Sequence, residues 1–164
     1  MVSNNEARAR LLGQVAAEAP AHAAAAVRLN IAVANQLGLP HTDVQCIGLL
    51  ADGPAAPTRL AERLGLTTGA MTKVLDRLES GGYVYRCADP ADRRRIVVTA
   101  TAQGLAEIGR HYAPVGEAFA RRFAAYTDDE LRTVLKFMRE GREVAEAEIG
   151  RIRGAGIPHA SRPH

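Results

Sequence analysis

Aromatic residues are scarce in this chain, at 4% with no tryptophan, and cysteine occurs only at Cys46 and Cys87. So few aromatics argue against a large aromatic-lined cavity. The apolar content is 47% and rich in alanine, which favours closely packed helices. Two cysteines are too few for a disulfide framework, so a reducing cytoplasm is the expected compartment. No run approaches the roughly 18 apolar residues of a membrane span. The start, Met1-Val2-Ser3-Asn4-Asn5-Glu6, lacks the basic-then-apolar order of a signal peptide. There is no glycine-rich phosphate loop, nucleophile elbow or metal constellation, so neither an enzyme nor a cofactor is expected. The histidines (His22, His41, His111, His159 and His164) show no ligand spacing with cysteines or carboxylates, so no metal is expected.

Positive charge is present, and it is unevenly placed. From Gly53 to Thr101 eight Lys/Arg face five Asp/Glu, while the rest of the chain carries thirteen of each sign. The whole formal excess of +3 therefore lies in the middle third, where an anionic partner should bind.

At 164 residues the chain suits one domain with helical extensions. Residues 6–37 read as an alanine-rich helix that Pro20 is expected to split or kink, closed by Gly38-Leu39-Pro40. Thr42 or Asp43 is expected to cap a second helix over 43–51, with Val44, Ile47 and Leu50 buried. Pro57–Leu64 forms a short helix with proline at its start, and Gly65-Leu66 a tight turn. Thr67 then caps a longer helix to about Ser80, which Gly81-Gly82 ends. A short helix, a glycine-containing turn and a second helix form a helix-turn-helix signature.

Met71, Val74, Leu75 and Leu78 follow helical spacing and must face a core. Thr68, Gly69, Thr72, Lys73, Asp76 and Arg77 are left pointing outward, a face of small hydroxylated residues followed by cations. Directly after it, 83–87 and 95–99 are β-rich runs joined by residues 88–94, which sets Arg93, Arg94 and Arg95 at the hairpin tip. This order is that of a winged helix. Arginines at the ribbon tip can reach phosphates or a flanking minor groove, with Asp92 paired to one of them. The plainer reading is an arginine-rich loop that only solubilises an edge.

A long helix is expected from about Thr101 to Tyr126, broken or bent near Pro114. Thr127-Asp128-Asp129-Glu130 is a capping box that opens the last helix. That helix spaces Leu131, Leu135, Met138, Ala145, Ile149 and Ile152 as a stripe requiring a partner. Residues 154–164 have no periodicity and are expected to form a flexible tail.

The stretches "LAERLGLTTGAMTKVLDRLESGGYVYR" (60–86) and "DPADRRRIVVTATAQG" (89–104) resemble the MarR family of winged-helix transcriptional regulators. The likeness joins the recognition helix, its Gly-Gly exit, the Asp-Arg-Arg wing and the Thr-x-x-Gly opening the next helix. It implies a mainly α fold, with a winged helix-turn-helix and two-stranded wing at 39–104. Dimerisation helices at 1–38 and 105–153 would flank it, followed by the tail. It further implies a homodimeric regulator, a ligand-responsive repressor, bound to an inverted-repeat operator in double-stranded DNA. By position Thr67, Thr68, Gly69, Thr72 and Lys73 fall where the family meets the major groove, and Arg77 lies on the same helix. Asp92 and Arg94 fall on the wing pair, flanked by Arg93 and Arg95. Small aromatic or phenolic anions release many members from DNA, yet no motif here names such a ligand. Some members sense oxidants through a cysteine near the start of the first helix, and this chain has none there. The alternative is a winged helix that only dimerises or docks onto protein, against which stand the three arginines on the wing.

Overall fold

The computed structural model describes residues 4–154; Gly154 still belongs to the last helix, and the rest of the tail expected over 154–164, with His159 and His164, lies outside the described residues. The order of elements is α1 (Asn4–Leu37), α2 (His41–Leu50), α3 (Pro57–Leu64), α4 (Thr68–Ser80), β1 (Val84–Ala88), β2 (Ile96–Ala100), α5 (Ala102–Arg122) and α6 (Asp128–Gly154). The fold is a mainly α winged helix, as expected. The chain divides into a unit ending at Gly116 and a second beginning at Glu117.

In the first unit the apolar faces of α2, α3 and α4 meet the strands around Ile47, Leu60, Met71, Leu75, Leu78 and Val98. Val33 and Ala34 near the end of α1 and Ile108 of α5 join that core. The four apolar positions assigned to the inner face of α4 are all buried. Thr67 caps α4 as expected, its Oγ1 accepting from the Ala70 N–H at 3.2 Å. At the exit Gly82 adopts φ +73°, a left-handed conformation that glycine takes without strain. The Tyr83 N–H then donates back to the Leu78 carbonyl at 2.9 Å.

That bond explains why β1 starts at Val84, one residue later than its sequence suggests. β1 and β2 pair antiparallel, with Arg86 opposite Val98. A third short piece, absent from the sequence reading, lies beside them. Ala55 exchanges two backbone hydrogen bonds with Val98, at 3.0 and 2.9 Å, and so ties the α2–α3 connection to the wing.

Three expected boundaries are corrected. First, α1 runs unbroken through Pro20, and α5 through Pro114. Each proline removes one backbone donor, but Ala16 and Arg110, four residues earlier, lie on exposed helix, where a freed carbonyl is open to solvent. Second, α5 ends at Arg122, followed by turns rather than helix to Tyr126. Third, α2 begins at His41, and neither Thr42 nor Asp43 serves as its cap. Asp43 instead points inward and is fully buried.

In the second unit the capping box forms as read. The Glu130 N–H donates to Thr127 Oγ1 at 3.3 Å, and Glu130 Oε2 accepts the Thr127 N–H at 2.8 Å. The backbone hydrogen bond from Thr127 holds the Glu130 carboxyl below its ordinary range. Leu131, Leu135, Met138, Ile149 and Ile152 of α6 are each about half exposed. Among the described residues, no helix is long and apolar enough to cross a membrane.

Candidate nucleic-acid interface

The outward face of α4 carries Thr68, Gly69, Thr72 and Lys73, all exposed. The hydroxyls of Thr67 and Thr72 are already committed within the helix. Thr67 is the cap, and Thr72 Oγ1 donates to the Thr68 carbonyl at 3.0 Å. What remains to present outward is the Thr68 hydroxyl, the free N–H groups of the first helical turn and the Lys73 ammonium. Lys73 makes no ion pair among the described residues. Free N–H groups at the positive end of a helix suit an anion such as phosphate.

The wing tip is ordered by its aspartates. Asp89 Oδ1 accepts the Ala91 N–H at 2.8 Å, and Asp92 Oδ1 accepts the Arg94 N–H at 3.1 Å. The Arg95 N–H closes onto the Asp92 carbonyl at 2.8 Å, which keeps Arg95 in the turn and starts β2 at Ile96. Asp92 also lies 3.5 Å from Arg94 Nε and 3.4 Å from Arg95 Nε. These separations are long for charge-assisted bonds, so Asp92 grips the turn backbone more firmly than either guanidinium. The Arg94 side chain is 93% exposed, and Arg93 stands exposed beside it.

Arg77, grouped by sequence with the outward set, is placed differently. Its Nε and Nη2 fork onto Asp43 Oδ2 and Oδ1 at 2.6 and 2.7 Å. The arginine is 45% exposed and the aspartate wholly buried. The hydrogen bond to Asp43 raises the Arg77 pKa further, so the guanidinium stays charged. Arg77 thus fastens α4 to α2, and its donors facing Asp43 are used inside the protein.

Sequence reasoning missed two further features. Arg86 of β1 reaches back to Asp76 and Glu79 of α4, tying the wing to the helix. A cavity of about 400 Å³ lies within the first unit, lined by Asn30, Gln45, Arg63, Ile108 and Tyr112 among others. In its lining Tyr112 donates to Asn30 Oδ1 at 2.6 Å. No spacing rule joins residues from α1, α2, α3 and α5, so no sequence signal could have found that cavity.

Cys46 lacks the surroundings of an oxidant sensor. Burial, with the neighbouring Asp43 adding to it, pushes the Cys46 thiol up to about 12. Cys87 is partly buried, its Sγ 3.7 Å from Thr99 Oγ1. Since the thiolate is the reactive form, Ellman's reagent at about pH 8 should titrate no more than one thiol per native chain and two after unfolding. Two rapid equivalents in the native protein would contradict the buried position of Cys46.

Residues 37–95 match the model of the MarR family. The chain is 34% identical over 128 residues to the HTH-type transcriptional regulator YcgE of Bacillus subtilis, covering 77% of this chain and 83% of that one. It is also 34% identical over 102 residues to the HTH-type transcriptional repressor Mb2911 of Mycobacterium bovis, 62% of this chain and 73% of that one. The crystal structure of the transcriptional regulator BldR from Sulfolobus solfataricus superposes with a TM-score of 0.54 at 20% identity. That superposition spans 85% of this chain and 99% of BldR, and it shows the shared fold. With its capped recognition helix, arginine-tipped wing and these relatives, the chain belongs to the MarR family of DNA-binding transcriptional regulators, a family of regulators rather than enzymes.

Proposed function

We propose that the protein is a homodimeric, ligand-responsive repressor that binds an inverted-repeat operator in duplex DNA. The observation that carries this reading is the set of exposed cations on adjoining elements: Lys73 on α4 and Arg93 on the wing, which make no ion pair among the described residues, and Arg94, whose Nε lies 3.5 Å from Asp92. Exposed cations with at most a long carboxylate contact can turn onto phosphates, which supply most of the affinity for DNA. Thr68, Gly69, Thr72 and Lys73 would enter the major groove, with Thr67 holding their helix start. Arg94, steered by Asp92 and flanked by Arg93 and Arg95, would reach the minor groove. Arg77 is assigned to support of α4, because its fork is taken by Asp43.

The homodimer reading rests on uncovered apolar surface. Leu11, Leu12, Val15, Val27 and Ile31 of α1 are exposed, as is the α6 stripe. Apolar faces of that extent mark association surfaces. Two copies related by a two-fold axis would present recognition helices to successive major grooves about 34 Å apart. The effector reading rests on the cavity, where the Arg63 cation sits among apolar walls of a size for a small aromatic or phenolic anion. A ligand favouring one lobe spacing would shift the dimer away from DNA. A cytoplasmic location agrees with this role.

Arg94→Ala should weaken binding to the duplex upstream of the protein's own gene by about 1–3 kcal/mol, with the melting temperature unchanged. Sedimentation of the same sample should report two chains. Undiminished binding would remove the wing from the contact surface, and a single-chain mass would end the dimer reading.

A further inference from the structure

The recognition helix carries its own obstacle to binding a polyanion. Between Lys73 and Ser80 it holds the cations Lys73 and Arg77 and the carboxylates Asp76 and Glu79. Arg77 is already balanced by buried Asp43. That leaves one ammonium against two carboxylates on the exposed side, a local excess of negative charge. Moreover, Asp76 lies three residues beyond Lys73, the spacing at which helical side chains of opposite charge pair. Left alone, Asp76 would draw the Lys73 ammonium onto itself.

Arg86 prevents both. Its Nη2 donates to Asp76 Oδ1 at 2.7 Å, and its Nη1 donates to Glu79 Oε2. Its backbone N–H donates to Glu79 Oε1 at 3.0 Å. One arginine therefore occupies both carboxylates with three hydrogen bonds, and its side chain is only 28% exposed. The hydrogen bond to Asp76 is the foremost cause of a raised Arg86 pKa, so the guanidinium keeps its charge. Arginine suits the task because its planar fork can serve two acceptors at once, which a lysine cannot do in fixed geometry.

We infer that Arg86 is a positioning residue for DNA binding, which acts by sequestering Asp76 and Glu79 so that Lys73 stays free for phosphate. It touches no DNA itself. This inference rests on the reading that α4 meets DNA. It assigns to the first strand of the wing an effect on the helix before it.

The test is a mutant cycle on the full chain, with binding measured to the duplex upstream of its own gene and to a random duplex of equal length. Arg86→Gln should lower affinity for both duplexes about tenfold, and the slope of log K against log salt should fall by about one as Lys73 turns to Asp76. Adding Asp76→Asn and Glu79→Gln to that variant should restore affinity and slope, a rescue that loss of a DNA contact would not show. Where Arg86→Gln alone does not fold, the decisive comparison is the triple variant against Asp76→Asn/Glu79→Gln. Less than threefold between them supports the inference. A tenfold gap there, or unchanged binding by folded Arg86→Gln, overturns it. If the wild-type chain binds neither duplex, the DNA reading of α4 itself fails and takes the inference with it.

Discussion

Replacing Arg77 with alanine is expected to lower the unfolding free energy by about 2–4 kcal/mol, although the residue stands half exposed on a helix surface. Most exposed arginines can be removed for a few tenths of that. The difference lies in the partner. Asp43 has no solvent exposure, and both of its oxygens accept from the Arg77 fork. Its other hydrogen bond is a long one, 3.4 Å from Thr42 Oγ1. Without the guanidinium, a buried carboxylate must remain charged without compensation, take up a proton or draw water into the core beside Ile47 and Leu50. Because the Arg77 site is open to water, the loss should fall below the extreme for a wholly buried pair. Converting both partners to neutral amides, Asp43→Asn with Arg77→Gln, should recover part of the loss. Lys73→Ala on the same helix should change stability by under about 0.5 kcal/mol. Thermal unfolding at fixed protein concentration reads all three. An Arg77→Ala protein that melts like the parent but binds DNA weakly would return Arg77 to the contact surface.

The second large effect is expected at Gly104, the glycine of the Thr-x-x-Gly segment. A Cβ built there would lie 2.5 Å from the Tyr83 carbonyl oxygen, 3.0 Å from its Cα and 3.1 Å from its carbonyl carbon. All three are backbone atoms and cannot swing away as a side chain would. They are also held by Thr101, whose N–H donates to the Tyr83 carbonyl at 2.9 Å and whose Oγ1 donates to that of Gly82 at 2.7 Å. The same Oγ1 accepts the Gly104 N–H at 2.9 Å and so caps α5. Alanine gains at most about 1 kcal/mol of helix propensity over glycine, while forcing backbone apart lies at or above the roughly 3 kcal/mol end of overpacking. Gly104→Ala should therefore cost a net 2–3 kcal/mol, roughly. Gly109, in the same helix with nothing within 4 Å of a built Cβ, is the control of opposite sign. Gly109→Ala should stabilise by up to about 1 kcal/mol. Chemical denaturation curves of the two variants separate the effects, and equal behaviour would refute the close approach of α5 to the start of the wing.

The segment containing Gly104 shows how far local reading extends. Thr67 as a cap, the Gly81-Gly82 exit, the Thr127–Glu130 box and the two β-rich runs could be read from neighbours within about four residues. Each appears in the structure at or within one residue of its expected place. The misplaced strand starts have local causes too. The Tyr83 N–H was needed to finish α4 and the Arg95 N–H to close the wing turn, and neither demand shows in β propensity.

By itself, the sequence determined the element types, the inner face of α4, the arginine-tipped ribbon and the family. All of these follow from periodicity, turn chemistry and motif spacing, which act over short stretches of chain. Only the tertiary structure decided what the charged residues do. Asp43 meets Arg77 across 34 positions, and Arg86 meets Asp76 across ten. An aspartate written at a helix start looks like a cap until packing turns it inward. An arginine on an exposed helix looks free until a buried carboxylate claims it. Which cations remain for DNA is thus the outcome of a competition among partners that only the folded chain brings within reach.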